Sequence, residues 1–560
     1  MAKGKQSTKK MRGMVVAPEP RAAEAGAAVL AKGGNAFDAA IATGFAECVV
    51  DPFQAGIGGM GSCHYYSAKT GEHSHLSFHS RAGSKVSPGM WEKDAGGQTE
   101  ISGYTLFDDH RSELGYTSIM TPGTIAGFGA IHSKFGTMDW SELMQPAINF
   151  LRNGFALPAN VTGLFTVPKN VGGEAVRAAQ LQKTTSMMKL WTKANGSLYD
   201  AGDIYRNDDL LRTLERIADN GPDEFYTGAL GREIADDFEK NGAFITADDL
   251  ANYKVRLHDA PHIKYRGYDI YSSCAPTSGL TALQILNFLE NIDLGSLEYG
   301  SAEHLHLVAM AMKWAHHDRE KYLGDPDFID LPMEKLLSKE HAKEVQLAIQ
   351  KGESPPPIPT FKSEGTTHTT IWDEEGNVVT MTHSLVVSSG VVTPGLGFPY
   401  NNSMKLAGVS RHGPNALAPG KARNVGICPT IIFKDGKFVF AAGAPGGSVI
   451  ISAVVQSLMN IMHFGMSPVE AVSAPRIHCE GGKVYCESRI LTSTMSELEK
   501  RGHEVQLHPC SYATVFARSQ LIAAHPDGTV RGASDPRNDG GIPVAAFDDG
   551  SIGIAPSWNS

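Results

Sequence analysis

The residues best suited to chemistry stand at one junction, Gly365-Thr366-Thr367-His368. A proline-rich stretch at residues 352–365 ends there and predicts an exposed, extended linker. The two threonines then open a predicted strand. A self-cleaving N-terminal nucleophile needs this arrangement, because the small Gly365 leaves its carbonyl accessible to the hydroxyl of Thr366. Cleavage frees an α-amine beside that hydroxyl, where it serves as the base. Gly-Thr-Thr also opens many ordinary strands, so the junction alone leaves a structural role open.

A second motif, Gly56-Ile57-Gly58-Gly59-Met60-Gly61, has the spacing of a dinucleotide-binding loop. Such a loop needs a strand before it and a helix after it. Here Asp-Pro precedes the glycines and residues 62–66 predict a strand, so we interpret the motif as a tight structural turn. The sequence contains no Walker A loop, no H-E-x-x-H and no G-x-S-x-G. We therefore predict no cofactor.

Histidines and cysteines are the remaining candidates for a metal site. His64, His73, His75 and His79 cluster in one segment, but their spacing lacks the cysteine pair or carboxylates of recurring metal sites. We expect them at the surface or lining a site. Two cysteines, Cys479 and Cys486, are too far apart in the sequence for a typical zinc-binding pair. We therefore predict no metal site.

Carboxylates follow the helical stretch at residues 309–317. We predict that these residues cap the helix and form ion pairs, with a catalytic role as the alternative. They are Asp318-Arg319 and the run at residues 322–327.

The elements that position these residues change in character along the chain. Apolar spacing predicts helices at residues 22–31, 35–47, 140–152, 230–241 and 282–290. After the linker, turn signals separate short apolar runs and predict three hairpins, at residues 369–382, 430–442 and around 526–528. An apolar helix follows the glycine turn, at residues 448–464. Helices first and hairpins later predict an α+β fold of stacked layers.

Composition excludes several classes of function. The chain has 560 residues and a formal net charge of −10, so no basic field exists to hold nucleic acid. The sequence contains no uninterrupted window of ~18 apolar residues, so no membrane-spanning helix is predicted. Residues 1–12 are basic without a following apolar run, which predicts a disordered tail rather than a secretory signal. The odd number of cysteines, seven, favours a reducing compartment, and we predict the cytoplasm.

From about residue 13 to residue 539, the chain resembles the gamma-glutamyltranspeptidase family. The resemblance is carried by many segments in one order. They lie at residues 13–15, 33–40, 58–59, 122–128, 145–147, 221–226, 265–268, 318–319, 322–327, 366–368, 429–430, 444–448 and 534–537.

This resemblance implies a four-layer α-β-β-α sandwich built by two chains of one precursor. Residues 13–365 would form the large chain and residues 366–560 the small chain. The two chains would stay associated. Thr366 matches the family's nucleophile, and Gly365 would be the last residue of the large chain. Gly446 and Gly447 match the glycines whose amides form the oxyanion hole, and two glycines before a helix suit that role. Ser384 stands where the family has a threonine that supports the nucleophile.

The acyl-recognition positions depart from the family pattern. The arginine that grips the glutamyl carboxylate aligns with His79, and Arg81 lies two residues on. The stretch ending in Ser403 and Met404 continues with Lys405 and Leu406, where the family has the acidic partner of the α-amine. Two carboxylate-binding serines align with Val425 and Gly426. The predicted substrate-binding set is therefore His79, Arg81, Ser403, Val425 and Gly426.

Together these residues predict a self-processing threonine amidohydrolase that is not strictly specific for γ-glutamyl groups. Its substrate would be a small-molecule amide whose acyl part carries a carboxylate. One alternative is a genuine glutathione hydrolase or γ-glutamyltransferase with a different substrate clamp. An alternative of another class is an unprocessed, inactive binding homologue.

Overall fold

The computed structural model describes residues 9–97, 105, 107–162, 180–356, 365–525, 527–537 and 541–555. Its strands are β1 (Met11–Ala17), β2 (Met60–Ser67), β3 (Glu72–Phe78), β4 (Phe155–Ala156), β5 (Ile204–Tyr205), β6 (Arg256–Asp259), β7 (His262–Tyr265), β8 (Tyr268–Ser272), β9 (Gly365–Asp373), β10 (Val378–Val386), β11 (Thr430–Lys434), β12 (Lys437–Gly443), β13 (Ile477–His478), β14 (Val484–Cys486), β15 (Val505–Leu507), β16 (Gln520–Ala524), β17 (Val530–Ser534), β18 (Ile542–Phe547) and β19 (Ile552–Ile554).

The helices of the same residues are α1 (Pro20–Ala31), α2 (Ala36–Val50), α3 (Thr124–Phe135), α4 (Trp140–Asn153), α5 (Ala159–Thr162), α6 (Thr185–Trp191), α7 (Asp208–Asn220), α8 (Ala229–Lys240), α9 (Ala247–Ala251), α10 (Gly279–Leu289), α11 (Ala302–Tyr322), α12 (Met333–Leu337), α13 (Lys339–Gln350), α14 (Val449–Phe464), α15 (Pro468–Ser473) and α16 (Thr492–Lys500). Short 3₁₀ turns include Tyr116–Ser118, Ser403–Leu406 and Thr514–Phe516. None of the helices in the described ranges is long and apolar enough to cross a membrane.

Two sheets form the centre of the fold. One has eight strands in the order β19-β18-β1-β9-β10-β2-β3-β6, and the other has six in the order β17-β16-β12-β11-β8-β7. Strand β9, which begins at residue 365, and strand β10 lie between β1 and β2, which precede that residue. The segments on either side of the predicted cleavage point therefore build the same sheet.

Alternating side chains along β9 show how the sheets stack. Thr370 donates a hydrogen bond to the carbonyl of Gln520 on the six-stranded sheet. The intervening Ile371 belongs to the core between the eight-stranded sheet and its helices. Since successive strand residues point to opposite faces, even-numbered residues of β9 face the other sheet and odd-numbered residues face helices.

Helices cover the outer faces of both sheets. All fifteen residues of α2 are buried, between α1, α4 and the eight-stranded sheet. Small residues let α1 and α2 approach each other closely. Gly26 of α1 packs against Thr43 of α2 with no room for a Cβ between them. Helices α10, α11 and α14 share a second core with the six-stranded sheet. The predicted four-layer α-β-β-α fold is confirmed.

Two predicted boundaries need correction. The disordered tail was placed at residues 1–12, but β1 begins at Met11, which pairs with Phe547 of β18. Residues 1–8 lie outside the described residues. The linker was placed at residues 352–365, but Gly365 is partly buried and begins β9. Residues 357–364 lie outside the described residues. In both places, pairing with a neighbouring strand extends the ordered element beyond its local sequence signal.

The histidine segment is also not where we expected it. His64, His75 and His79 are buried rather than exposed. Burial is the main cause that lowers the pKa of His75 to about 3, and His73 stacks on Tyr271 with ring centroids 3.6 Å apart. Burial lowers the pKa of all four histidines, so they pack as neutral side chains in or beside β2 and β3.

Candidate active site

The predicted nucleophile lies at the beginning of a central strand. In the antiparallel pair β9 and β10, Thr367 lies opposite His383, and the register shifts between His383 and Val386. Thr366 and Ser384 both lie on the face that meets the six-stranded sheet, as the alternation along each strand requires. Their side chains are buried at the end of this inter-sheet layer.

Two hydroxyl groups converge on the carbonyl oxygen of Gly365. Oγ1 of Thr366 donates to it at 2.6 Å, and Oγ of Ser384 donates to it at 2.7 Å. The two hydroxyl oxygens are 3.2 Å apart. The amide of Val386 fixes Ser384 by donating to its Oγ at 2.7 Å. The hydroxyl that would attack thus lies beside the carbonyl that it would attack, with a second donor on the same oxygen.

The backbone of this junction is held by two hydrogen bonds and is closely packed. The amide of Thr366 donates to Oε1 of Gln54 at 2.8 Å, and Nη2 of Arg518 donates to the carbonyl of Thr366 at 3.2 Å. A Cβ on Gly365 would lie 2.8 Å from both Oε1 of Gln54 and the carbonyl oxygen of Val386. This close approach explains why the residue before Thr366 is glycine.

A buried carboxylate supports the opposite face of the same strands. Glu47 of α2 accepts hydrogen bonds from Oγ1 of Thr367 at 2.8 Å and from Nε2 of His383 at 2.7 Å. The side chains of Glu47 and His383 are fully buried. Near the end of the same helix, burial raises the pKa of Asp51 to about 7, and the cation of Arg518 opposes that shift.

The predicted oxyanion glycines form a turn between β12 and α14. Gly446 has φ 139° and Gly447 has φ 69°, both in the left-handed region that side chains rarely adopt. A Cβ on Gly446 would also lie 2.9 Å from Cβ of Ala517. The side chain of Ser448, the residue after the turn, donates to Glu480, and α14 starts at the next residue. The turn thus puts bare amides at a helix N-terminus, where a negative charge is favoured.

One cavity brings Thr366 together with several other predicted site residues. Among the described residues it is lined by Met60, Arg319, Gly365, Thr366, Ser384, Val386, Leu406, Arg423, Asn424, Val425, Gly426, Gly447 and Ser448. These lining residues include two arginines but no aspartate or glutamate. The cavity wall therefore favours an anionic group over an ammonium group.

Three predicted substrate-binding residues, His79, Arg81 and Ser403, are buried and are not among the residues that line the cavity. Nη1 of Arg81 pairs with Oδ2 of the buried Asp325 at 2.9 Å. Burial, and then the cations of Arg423 and Arg81, hold the pKa of His79 well below its usual range. Ser403 accepts a hydrogen bond from Ser80 at 2.7 Å.

The other two predicted substrate-binding residues, Val425 and Gly426, do line the cavity. A Cβ on Gly426 would lie 2.1 Å from the carbonyl oxygen of Gly447. Gly426, which aligns with a serine of the family, therefore has no room for a side chain, because its backbone packs against the Gly446-Gly447 turn.

Sequence reasoning missed some of the residues around Thr366. Gln54 gave no signal, since it reaches Thr366 from 312 residues away in the chain. Arg319 was noticed but assigned to capping and pairing. Arg423 lies two residues before Val425, so the predicted position of Val425 could have drawn attention to it. Its own place in the sequence gave no sign that it would line the cavity. In the described parts of the chain, no group of three or more His, Cys, Asp or Glu side chains could hold a metal ion.

Known proteins share this architecture and sequence. The family model described as gamma-glutamyltranspeptidase matches residues 22–545. The glutathione hydrolase proenzyme of Escherichia coli is 35% identical over 94% of this chain and 90% of its own length. An acylase ACY 1 proenzyme of a Pseudomonas species is 34% identical over 95% of this chain and 93% of its own. The crystal structure of cephalosporin acylase from Bacillus halodurans is similar with a TM-score of 0.83 at 27% identity, covering 98% of this chain and 97% of that one.

A four-layer α-β-β-α sandwich with a threonine at the start of a central strand defines the class of N-terminal nucleophile hydrolases. Within that class, the chain belongs to the gamma-glutamyltranspeptidase family. It is an enzyme of the hydrolase or transpeptidase type found in this family.

Proposed function

We propose that this protein is a self-processing threonine amidohydrolase in which Thr366 is the nucleophile in both maturation and turnover. The observation that carries the proposal is the convergence of the Thr366 and Ser384 hydroxyls on the carbonyl of Gly365. The cavity that adjoins these groups and the Gly447 turn supplies space for a substrate.

Maturation would proceed by acyl transfer from nitrogen to oxygen. Oγ1 of Thr366 forms a bond to the carbonyl carbon of Gly365, and the peptide C–N bond breaks. The hydroxyl proton passes to the departing nitrogen, which leaves an ester and a free α-amine. Water then hydrolyses the ester, which releases the carboxylate of Gly365. Ser384 donates a hydrogen bond to the oxygen that becomes negative during attack. The two products stay together because their strands alternate within one sheet.

Turnover would use the same hydroxyl on an external amide. The α-amine of Thr366 accepts the hydroxyl proton as Oγ1 attacks the substrate carbonyl, and the proton passes to the departing amine. The amides of Gly446 and Gly447 stabilise the oxyanion, and water or an acceptor amine releases the acyl group. Free α-amines titrate near ~7.7–8, so activity should fall as the pH drops below the value this site sets.

Two candidate substrate classes follow from the relatives and the cavity. The name of the Escherichia coli relative favours a glutathione hydrolase, whereas the acylase relatives favour amides of other acids. The lining residues offer no carboxylate to the ammonium of a γ-glutamyl group. A charge buried without a partner costs several kcal/mol. We therefore favour an amidohydrolase that is not strictly specific for γ-glutamyl groups.

Maturation tests the proposal directly. Purified protein should give two bands on denaturing electrophoresis, and the smaller chain should begin at Thr366. Thr366→Ala should remain one chain, and circular dichroism should show that it is folded. Active protein that remains a single chain, or a small chain with another N-terminus, would refute the proposed nucleophile.

The cysteines support the predicted cytoplasmic location. All seven are free thiols, and five of them are buried. Buried thiols need no oxidising compartment, which fits a reducing one. Fractionation of the cells that make the protein tests this location, and recovery outside the cytoplasm would contradict it.

A further inference from the structure

We propose that Arg518 is a positioning residue whose charge keeps the α-amine of Thr366 unprotonated in the mature protein, so that the amine can accept the hydroxyl proton. This inference rests on the proposed function, because the α-amine exists only after cleavage at Gly365. It goes beyond that function by naming the side chain that sets the protonation state of the base.

The guanidinium of Arg518 contacts the residue that would carry the amine. Nη2 of Arg518 donates to the carbonyl oxygen of Thr366 at 3.2 Å. Since three bonds separate that oxygen from the nitrogen of Thr366, the cation lies within about 7 Å of the nitrogen. A positive charge at this distance disfavours a second positive charge, so it lowers the pKa of the amine.

The segment that carries Arg518 is fixed by hydrogen bonds. The amide of Ser519 donates to Oδ2 of Asp535 at 3.0 Å, and Nε2 of Gln520 donates to the carbonyl of Arg518 at 3.2 Å. The side chain of Arg518 is 8% exposed. Because water and salt screen a buried charge less than an exposed one, the cation acts on Thr366 at nearly full strength.

The nitrogen of Thr366 has a fixed partner as well. It donates to Oε1 of Gln54 at 2.8 Å. The amide of Gln54 donates to the carbonyl of Asp51 at 3.0 Å, in the turn after α2. A neutral amine still has N–H groups to donate, so this hydrogen bond can persist after cleavage. Gln54 thus positions the amine without adding a charge to it.

Two carboxyl groups near Thr366 would favour a protonated amine. Glu47 is paired with His383 on the opposite face of the sheet. Burial raises the pKa of Asp51 to about 7, and the cation of Arg518 opposes that shift. Arg518 therefore acts on both the acid and the amine, and its loss would raise the pKa of each.

The remaining titratable and charged groups at the site do not replace Arg518. Burial is the main cause that lowers the pKa of His368 to about 3, so that ring is neutral. Arg319 and Arg423 line the cavity beside Thr366 and act in the same direction as Arg518. Of the hydrogen bonds described for Thr366, however, the one from a charged side chain comes from Arg518.

Competitive labelling of the mature protein with acetic anhydride tests the inference, because only the neutral amine reacts. Mass spectrometry of the N-terminal peptide of the small chain gives the labelled fraction at each pH. Ordinary α-amines titrate near ~7.7–8, and we expect a lower value in the unmodified protein. Arg518→Met should raise that value by about 1–2 pH units, whereas Arg518→Lys, which keeps the charge, should raise it by less than about half as much.

Turnover should show the same shift. The substrate is whichever of glutaryl-p-nitroanilide and γ-glutamyl-p-nitroanilide the unmodified protein hydrolyses faster. In Arg518→Met the acid limb of kcat/KM should move to higher pH, while the value at high pH should fall less than about threefold. Arg531→Met is the matched control, because Arg531 of β17 is 9% exposed and its described hydrogen bond goes to the carbonyl of Val530. It should leave both titrations unchanged.

An unchanged titration in Arg518→Met, or an equal shift in Arg531→Met, would refute the role of Arg518. If Arg518→Met does not fold or mature, the unmodified protein decides, since an α-amine that titrates at or above ~8 refutes the inference. Labelling needs no substrate, so these outcomes leave the proposed function standing. An unmodified protein that stays one chain, or whose small chain begins at another residue, refutes the proposed function and the inference with it.

Discussion

Replacing Ser384 with alanine perturbs the processing step at a single atom. In the intact chain, the carbonyl oxygen of Gly365 accepts hydrogen bonds from Thr366 at 2.6 Å and from Ser384 at 2.7 Å. Once Oγ1 of Thr366 attacks, it no longer donates to that oxygen. Of these two hydroxyls, only Ser384 then remains to stabilise the negative charge.

The size of the effect follows from this geometry. Removing one donor from an oxyanion typically slows a reaction by about 10²–10³-fold. Ser384→Ala also removes the acceptor that the amide of Val386 uses at 2.7 Å, which costs about 1–3 kcal/mol of folding stability. We expect a folded precursor that matures about 100-fold more slowly, whereas Ser384→Thr should mature at a rate close to that of the unmodified chain.

A time course of precursor conversion, followed by denaturing electrophoresis, measures the rate, and circular dichroism checks the fold. The control is Thr380→Val, which removes a buried hydroxyl from the same face of β10. That hydroxyl donates to the carbonyl of His64 at 3.1 Å and lies away from the junction. Maturation of Ser384→Ala at the unmodified rate, or equal slowing in the control, would refute the role of Ser384.

Three further predictions test the surroundings of the nucleophile. Gly365→Ala should slow maturation about tenfold or more, because its Cβ would lie 2.8 Å from Gln54; an unchanged time course would contradict this. In the uncleavable Thr366→Ala chain, Glu47→Ala should lower the free energy of unfolding by about 2–6 kcal/mol, measured by urea titration, because two buried groups lose their partner; a loss under 1 kcal/mol would contradict it. The pKa of Asp51 is raised to about 7, so its stabilising effect is complete below about pH 4 and is lost as the pH rises through about 7. Relative to the same Thr366→Ala parent, Asp51→Asn should therefore gain stability between pH 4 and pH 8, on the order of 4 kcal/mol, and parallel stability curves would refute it.

Local sequence signals predicted much of the fold. The apolar spacing at residues 140–152 and 230–241 matches α4 and α8 within a residue or two. The turn residues between β11 and β12 correctly predicted a hairpin. These signals succeed because a helix or a hairpin depends on residues close in the chain.

The candidate site depends on contacts that the chain makes over long distances. The junction at Thr366 was visible locally, but its partner Gln54 comes from a segment 312 residues away. Alignment alone placed the arginine that grips the substrate carboxylate at His79. Packing buries the His79 ring and lowers its pKa. Burial and charge at a site arise only when distant segments meet, and single-sequence patterns do not contain them.

The measurement that tests the nucleophile most directly is the mass of the small chain during turnover. Protein that is acid-quenched while it hydrolyses an anilide should contain a small chain heavier by the acyl group. Fragmentation should place that group on Oγ1 of the N-terminal Thr366. We predict this adduct in the unmodified protein and its loss when the substrate is exhausted. An adduct on another residue, or steady turnover in Thr366→Ala, would contradict the central claim that Thr366 carries the acyl group.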